Sequence, residues 1–416
     1  MSSASKTYGA FIWHGFFLAL TMAMLDLNTV FPSLIAELTP SKIIFGSLYS
    51  IMLGIPLLFN IVFSHYLKAH RYKRKFLLLG IHLRSFSFLG MAVSTYLLAE
   101  QQPEAAVISF FVWVFLFSIS AGFASISYAD IAAKSLPRPQ RTQMYAAKQF
   151  AGSIAGFLGG LLINFIFSQT QLGFPATYTL SLAIGFVGLL IASLGFHLIE
   201  EPPSPLPDQS QESLRQFLRQ VPTLLRSDRT FRRFIIIENM ASFSIMVLPF
   251  YMVYARETMA VGGEYLGTYL IYQVAGSVLS NVVWAFLAQR FGSRAVVRTC
   301  ITVGGLLPLL ALLLGQFGPN WYGLVFLLLG FIVSGRRVGF EPYLLDIAPD
   351  HRRTEYLGIR GTMNIFVVIL PIVGGALIGW LGYTFTFVVT AVVMLLAARL
   401  MGSTDAELTT IELSSH

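Results

Sequence analysis

His70-Arg71-Tyr72-Lys73-Arg74-Lys75 and Gln289-Arg290-Phe291-Gly292-Ser293-Arg294 are two short basic loops lying half a chain apart. Each closes one long apolar segment and opens the next, and Arg71 and Arg290 are separated by 219 residues (290 − 71) in a chain of 416. A second pair of loops repeats the pattern. Asp130 is followed by Pro137, Arg141-Thr142 and Lys148, and Asp346 by Pro349, Arg353-Thr354 and Arg360. Arg141 to Arg353 and Lys148 to Arg360 are both steps of 212 residues, so these basic positions match without a gap. The chain is an internal duplication.

The residues around the loops identify the solvent. Apolar residues make up 55% of the chain and charged residues 12%, with a mean hydropathy of +0.70, far from the composition of a soluble domain. Apolar runs of roughly 20 residues, long enough for a helix to cross about 30 Å of hydrocarbon, recur throughout. Twelve can be read, near 10–35, 43–67, 75–98, 106–132, 146–168, 176–199, 232–255, 264–288, 295–315, 322–347, 357–380 and 383–401. Lipid offers no partners to a bare backbone, so each run is expected as a helix.

The net charge of +8 marks topology rather than nucleic-acid affinity. Lysine and arginine crowd into alternate loops, whereas the intervening loops carry only Lys42 and Arg256. The positive-inside rule then places both termini and the central loop in the cytoplasm, with the protein in the cytoplasmic (inner) membrane. The first apolar run is full spanning length and has no small-residue cleavage site after a short core, so it is expected to stay as the first helix.

Glu200-Glu201-Pro202-Pro203-Ser204-Pro205-Leu206-Pro207 cannot continue a helix and ends the first half. The expected organisation is an N-terminal bundle over 1–199, a cytoplasmic linker over 200–230 and a C-terminal bundle with a short tail over 231–416. Between Gln211 and Arg226, leucines alternate with arginines at roughly helical spacing. That pattern fits an amphipathic helix on the inner leaflet or a solvated linker.

The two basic loops resemble the cytoplasmic signature of the major facilitator superfamily, Gly-x-x-x-Asp-Arg-x-Gly-Arg-Arg, which falls between the second and third helices of each six-helix half. The resemblance implies an all-α membrane protein of twelve helices in two pseudo-symmetric six-helix bundles, with substrate held near the midplane between parallel repeats. His70 and Gln289 stand where the family has aspartate, and Lys73 where it has glycine. By resemblance, Arg71, Arg74, Arg141, Arg290, Arg294 and Arg353 belong to a cytoplasmic gate. Asp130 and Asp346, at the ends of the fourth and tenth segments, are candidates for its missing carboxylates or ordinary helix ends. Gly152, Gly156 and Gly160 form a doubled Gly-x-x-x-Gly pattern that lets a neighbouring backbone approach. The drug-exporter signature Gly-x-x-x-Gly-Pro-x-x-Gly-Gly is not matched, because Pro371-x-x-Gly374-Gly375 lies in the other half.

A charge at membrane depth needs a partner, an aqueous cavity or a task. Asp26 and Asn28 sit in the first segment, Arg84 in the third, Glu238 and Asn239 in the seventh, and Arg336, Arg337 and Glu341 in the tenth. In the superfamily the first, fourth, seventh and tenth helices line the cavity, which makes all of these except Arg84 candidates for substrate binding or coupling. Asp26 reads as a protonatable site, a substrate ligand or a structural partner. Arg336 reads as an anchor for an anionic group, and Arg337 with Glu341 as a self-neutralising pair. Arg84 is expected in a structural ion pair with Asp26 or Asp130.

The resulting expectation is a secondary transporter that moves a small organic solute, anionic or zwitterionic, by alternating access with protons. Its partners are that solute, the proton and the bilayer, and a monomer is expected. Alternatives are a multidrug or metabolite exporter, a lipid flippase or a non-transporting sensor. No phosphate-binding loop, metal-ligand spacing among the seven histidines, or nucleophile with its base is present, so neither a cofactor nor an enzymatic activity is expected. The lone Cys300 forms no internal disulfide.

Overall fold

The computed structural model describes residues 3–68, 70–169, 171–203, 221–222, 224–349 and 352–414. Most of the expected amphipathic linker helix falls outside them. The described chain is helical throughout, as hydrocarbon demands of a backbone that must satisfy its own hydrogen bonds. In order, the helices are α1 Ser3–Met24, α2 Val30–Leu38, α3 Lys42–Lys68, α4 Arg74–Leu98, α5 Pro103–Ser135, α6 Arg138–Asn164 and α7 Ala176–His197. They continue with α8 Arg229–Ala241, α9 Ser244–Val247, α10 Phe250–Met259, α11 Glu264–Leu314, α12 Pro319–Ile347, α13 Arg353–Met363 and α14 Leu370–Ser414.

Ten stretches among the described residues are long and apolar enough to cross a bilayer. Two of them, of 51 and 47 residues, are twice the length required. Each is broken once: α11 turns at Gly292 (φ 77°, ψ 172°) and α14 at Gly382 (φ 80°, ψ 173°), backbone angles that only glycine adopts without strain. Counting each as two brings the crossings to twelve. The faces of these helices are apolar outward as well as inward. Phe150, Val282 and Trp380 are 71%, 74% and 77% exposed, as expected of side chains that lie against lipid tails. The chain is a multi-pass integral membrane protein.

Two compact units divide the molecule: unit 1 is Met1–Gln209 with Ala260–Ile271, and unit 2 is Ser210–Met259 with Tyr272–His416. The first residues of α11 therefore belong with unit 1. A Cβ at Gly267 would overlap the backbone of Asn164, so α11 touches the end of α6 backbone to backbone. The expected glycine face of α6 is used in two directions. Gly152 and Gly159 pack on Ala19 and Ala23 of α1, and Gly160 on Ile271 of α11.

In unit 2 the closest crossing is α11 on α12. Cβ atoms added at Gly276 and Gly330 would each overlap a carbonyl oxygen of the facing helix, that of Leu327 and that of Gln273. Backbone on both sides leaves nothing to swing aside. Gly276→Ala or Gly330→Ala is expected to destabilise the protein by about 1–3 kcal/mol, read as a lower unfolding midpoint in detergent, whereas Gly379→Ala, in open space, should leave the midpoint in place.

Candidate functional site

The first spanning helix of unit 1 is interrupted at 25–29, between α1 and α2. Asp26 lies in the break, where its Oδ1 accepts from the Asn28 backbone N–H and from the Thr29 hydroxyl, both at 2.9 Å. A short acidic side chain here ties down the Asn28 amide and the Thr29 hydroxyl just ahead of α2. Asn28 follows it, with its own Oδ1 buried and without a hydrogen-bond partner among the described residues.

Arg84 does not form the expected ion pair with Asp26 or Asp130. Its guanidinium carbon sits 5.0 Å from the Phe117 ring centroid, with Nε buried and unpartnered among the described residues. It faces a cavity of about 230 Å³ inside unit 1, lined from α1 by His14 and Leu18, from α4 by Leu77, Ile81 and Arg84, from α5 by Tyr128, and from α6 by Lys148. The ammonium of Lys148 stands 4.3 Å from the Tyr128 ring centroid. His14 is 5% exposed, and its Nδ1 and the Tyr128 hydroxyl are buried without a hydrogen-bond partner among the described residues. No carboxylate is among the residues that line this space, and among the described residues neither Arg84 nor Lys148 forms an ion pair.

Unit 2 treats its deep charges differently. Glu238 on α8 is 2% exposed and is gripped by Arg360 of α13, whose Nη2 and Nε reach Oε1 at 2.6 and 2.8 Å and whose Nε also reaches Oε2 at 3.0 Å. Arg336 of α12 turns into the same unit. It donates to the Ala241 carbonyl at 3.1 Å and to the Ser242 and Ser244 hydroxyls at 3.2 and 3.4 Å, and its guanidinium lies 4.9 Å from the Phe340 ring centroid. These acceptors cluster where α8 gives way to α9, so the cation meets the exposed carbonyl end of a broken helix. Ser242 Oγ in turn donates to the Glu238 carbonyl at 2.8 Å, linking the two arginine sites through α8. Asn239 donates to the Ile235 carbonyl and keeps a buried Oδ1 without a partner among the described residues. Arg337 and Glu341 are exposed, and among the described residues they form no ion pair with each other. Of the two adjacent arginines, Arg336 is the one turned inward.

At the basic loops, Asp130 receives Lys73 at 2.6 Å and Lys134 at 3.0 Å. Glu201, just beyond α7, accepts from the backbone N–H groups of Lys73 and Arg74 at 2.5 and 2.8 Å, and from the Lys134 ammonium at 2.6 Å. A carboxylate thus sits on the N-terminus of α4, compensating the helix dipole where His70 stands in place of the family aspartate. Arg71 is exposed, and Arg141 caps α5 by donating to the Ala133 and Leu136 carbonyls at 2.6 and 3.2 Å. In unit 2, Asp346 accepts from Ser293, Arg294 donates to the Met401 carbonyl at 2.7 Å, Arg290 lies by the Phe291 ring, and Arg353 is exposed at the start of α13.

Four contributors do not stand out in the sequence as isolated charges. Lys148 and Arg360 are visible there only as repeat markers, Glu201 only as part of a proline-rich boundary, and His14 as one scattered histidine. A signal for two of them lies in the 212-residue step, which places a cation at the same point of each repeat.

A family model described as Major Facilitator Superfamily matches residues 12–280 and, in a second match, 234–407. Among solved structures, a POT family transporter in complex with 5-aminolevulinic acid superposes with a TM-score of 0.73 at 13% identity, covering 97% of this chain and 96% of that one. The nucleoside transporter NupG gives 0.68 at 14% identity over 95% and 99%, and a D-xylose-proton symporter 0.67 at 15% over 96% and 97%. No curated protein matches the chain.

A double-mutant cycle tests the buried pair. Glu238→Gln alone or Arg360→Met alone is expected to cost about 3–5 kcal/mol, because each strands a desolvated partner. The double variant should lose clearly less than the two combined, a non-additivity visible in detergent unfolding midpoints.

Proposed function

Because the chain belongs to the Major Facilitator Superfamily, we propose that this transporter moves a small organic anion or zwitterion across the cytoplasmic membrane together with protons, by alternating access. The observation that carries the reading is Glu238, a carboxylate nine-tenths and more buried in a spanning helix and held bidentately by Arg360, with Arg336 bound one helical turn further along, at Ser242. Ionised, Glu238 neutralises Arg360. Protonated, it loses the charge that holds the pair, and the guanidinium fork becomes available to an external carboxylate or phosphate. Proton and anion then load together, and deprotonation of Glu238 expels the anion by reclaiming Arg360.

Charge inventory supports the sign of the substrate. Around Glu238 two guanidiniums meet one carboxylate, and the cavity of unit 1 holds Arg84 and Lys148 with none. Both units are therefore electropositive inside. Asp26, bound to its own helix break, fits a structural role better than a coupling role. The alternation of basic loops supports cytoplasmic termini.

Uptake into proteoliposomes driven by an imposed pH gradient tests this reading. Glu238→Gln should abolish the response to the gradient while substrate counterflow continues, and Asp26→Ala should lower stability by about 0.5–2 kcal/mol yet keep the response. Gradient-driven uptake that survives in Glu238→Gln would rule out Glu238 as the coupling site.

A further inference from the structure

The two repeats place a cation at the same point, Lys148 on α6 and Arg360 on α13, and then diverge. In unit 2, Arg360 reaches the first helix and finds Glu238. In unit 1, Lys148 reaches α1 across Gly15, where a Cβ would overlap its Cγ; the side chain runs through the space that glycine leaves open. What it finds there is His14, with Arg84 and the Tyr128 hydroxyl facing the same cavity of about 230 Å³. Among the lining residues the internal acid is missing.

We propose that this cavity binds the carboxylate of a small organic acid, which takes in unit 1 the place that Glu238 takes in unit 2. The inference deepens the transport reading by naming a substrate class and a subsite, and it rests on that reading only for the ligand's being cargo. Two fixed cations at membrane depth, in a space lined by no carboxylate, carry a heavy desolvation penalty until an anion arrives. Nε of Arg84, the Tyr128 hydroxyl and His14 Nδ1 are buried with no hydrogen-bond partner among the described residues, so polar groups stand ready on the same wall. Leu18, Leu77, Ile81 and Leu189 supply the rest of the lining, which suits an acid with a compact apolar body over inorganic phosphate. The Lys148 ammonium acts as a point charge and the Arg84 guanidinium as a planar fork, a combination that matches one carboxylate.

The test uses the full-length protein in detergent, with unfolding midpoints measured against benzoate, benzamide of the same shape without charge, inorganic phosphate, and added phosphatidylglycerol. Benzoate should raise the midpoint in a concentration-dependent way by mass action, and benzamide should not. Lys148→Met and Arg84→Met should each weaken the benzoate response by at least about tenfold in concentration. His14→Glu supplies the missing acid from within. It should raise the midpoint of the unliganded protein and abolish the benzoate response, and it decides the matter if the methionine variants fail to fold. Equal stabilisation by benzamide, a response to phosphate or phosphatidylglycerol with benzoate silent, or a benzoate response unchanged in both Lys148→Met and His14→Glu overturns the proposal. The two readings fail separately: pH-driven uptake surviving in Glu238→Gln removes the coupling role while a Lys148-dependent benzoate response keeps the subsite, and the reverse pattern removes the subsite alone.

Discussion

Hydrocarbon cannot solvate a charge, so every ionised group at membrane depth must find its complement inside the chain. That constraint explains more of this molecule than any single motif. Glu238 is enclosed by Arg360, and Arg336 is spent on one carbonyl and two serine hydroxyls where a helix breaks. Asp26 does the converse at the break in the first helix, accepting from the amide and hydroxyl that open α2. The two interruptions are matched in place and opposite in charge, because one offers donors and the other acceptors. Among the described residues, Arg84 and Lys148 of the unit 1 cavity form no ion pair, and no carboxylate lines the space they face.

The duplication organises these solutions without copying them. A shared ancestor of the two halves accounts for Lys148 and Arg360 lying 212 residues apart, and for basic loops closing the second helix of each half. Divergence has then worked on the partners. One first helix carries Glu238 against its cation; the other carries a glycine that lets its cation pass, and an imidazole beside it. Glu201 and Asp130 meet the first basic loop, where the family motif has its loop aspartate, and Lys73 and Lys134 are among their partners.

How much of this was legible in the sequence follows from the range over which each interaction acts. The twelve crossings and the repeat were readable, since hydropathy and loop charge are local properties. Asp26, Glu238 and Arg336 could be singled out for the same reason: an ionisable residue in an apolar run is conspicuous on its own. Their partners could not. What meets Arg84 depends on how α4 packs against α5 and α7, and although Asp130 was a candidate carboxylate for the basic loop, the pattern does not say that Lys73 and Lys134 are the cations that reach it. The cavity was hidden more deeply still. It exists because five helices, α1, α4, α5, α6 and α7, leave room around Arg84, which a one-dimensional pattern does not record.

Gly292 and Gly382 join consecutive spans through a single residue of left-handed backbone, with helix on both sides. A connection so short ties the fates of the segments it links. In the bilayer, neither member of such a pair can slide along its axis without drawing on the other. The corner presents no slack to a protease and no site where a reporter sequence could be spliced without prising two helices apart.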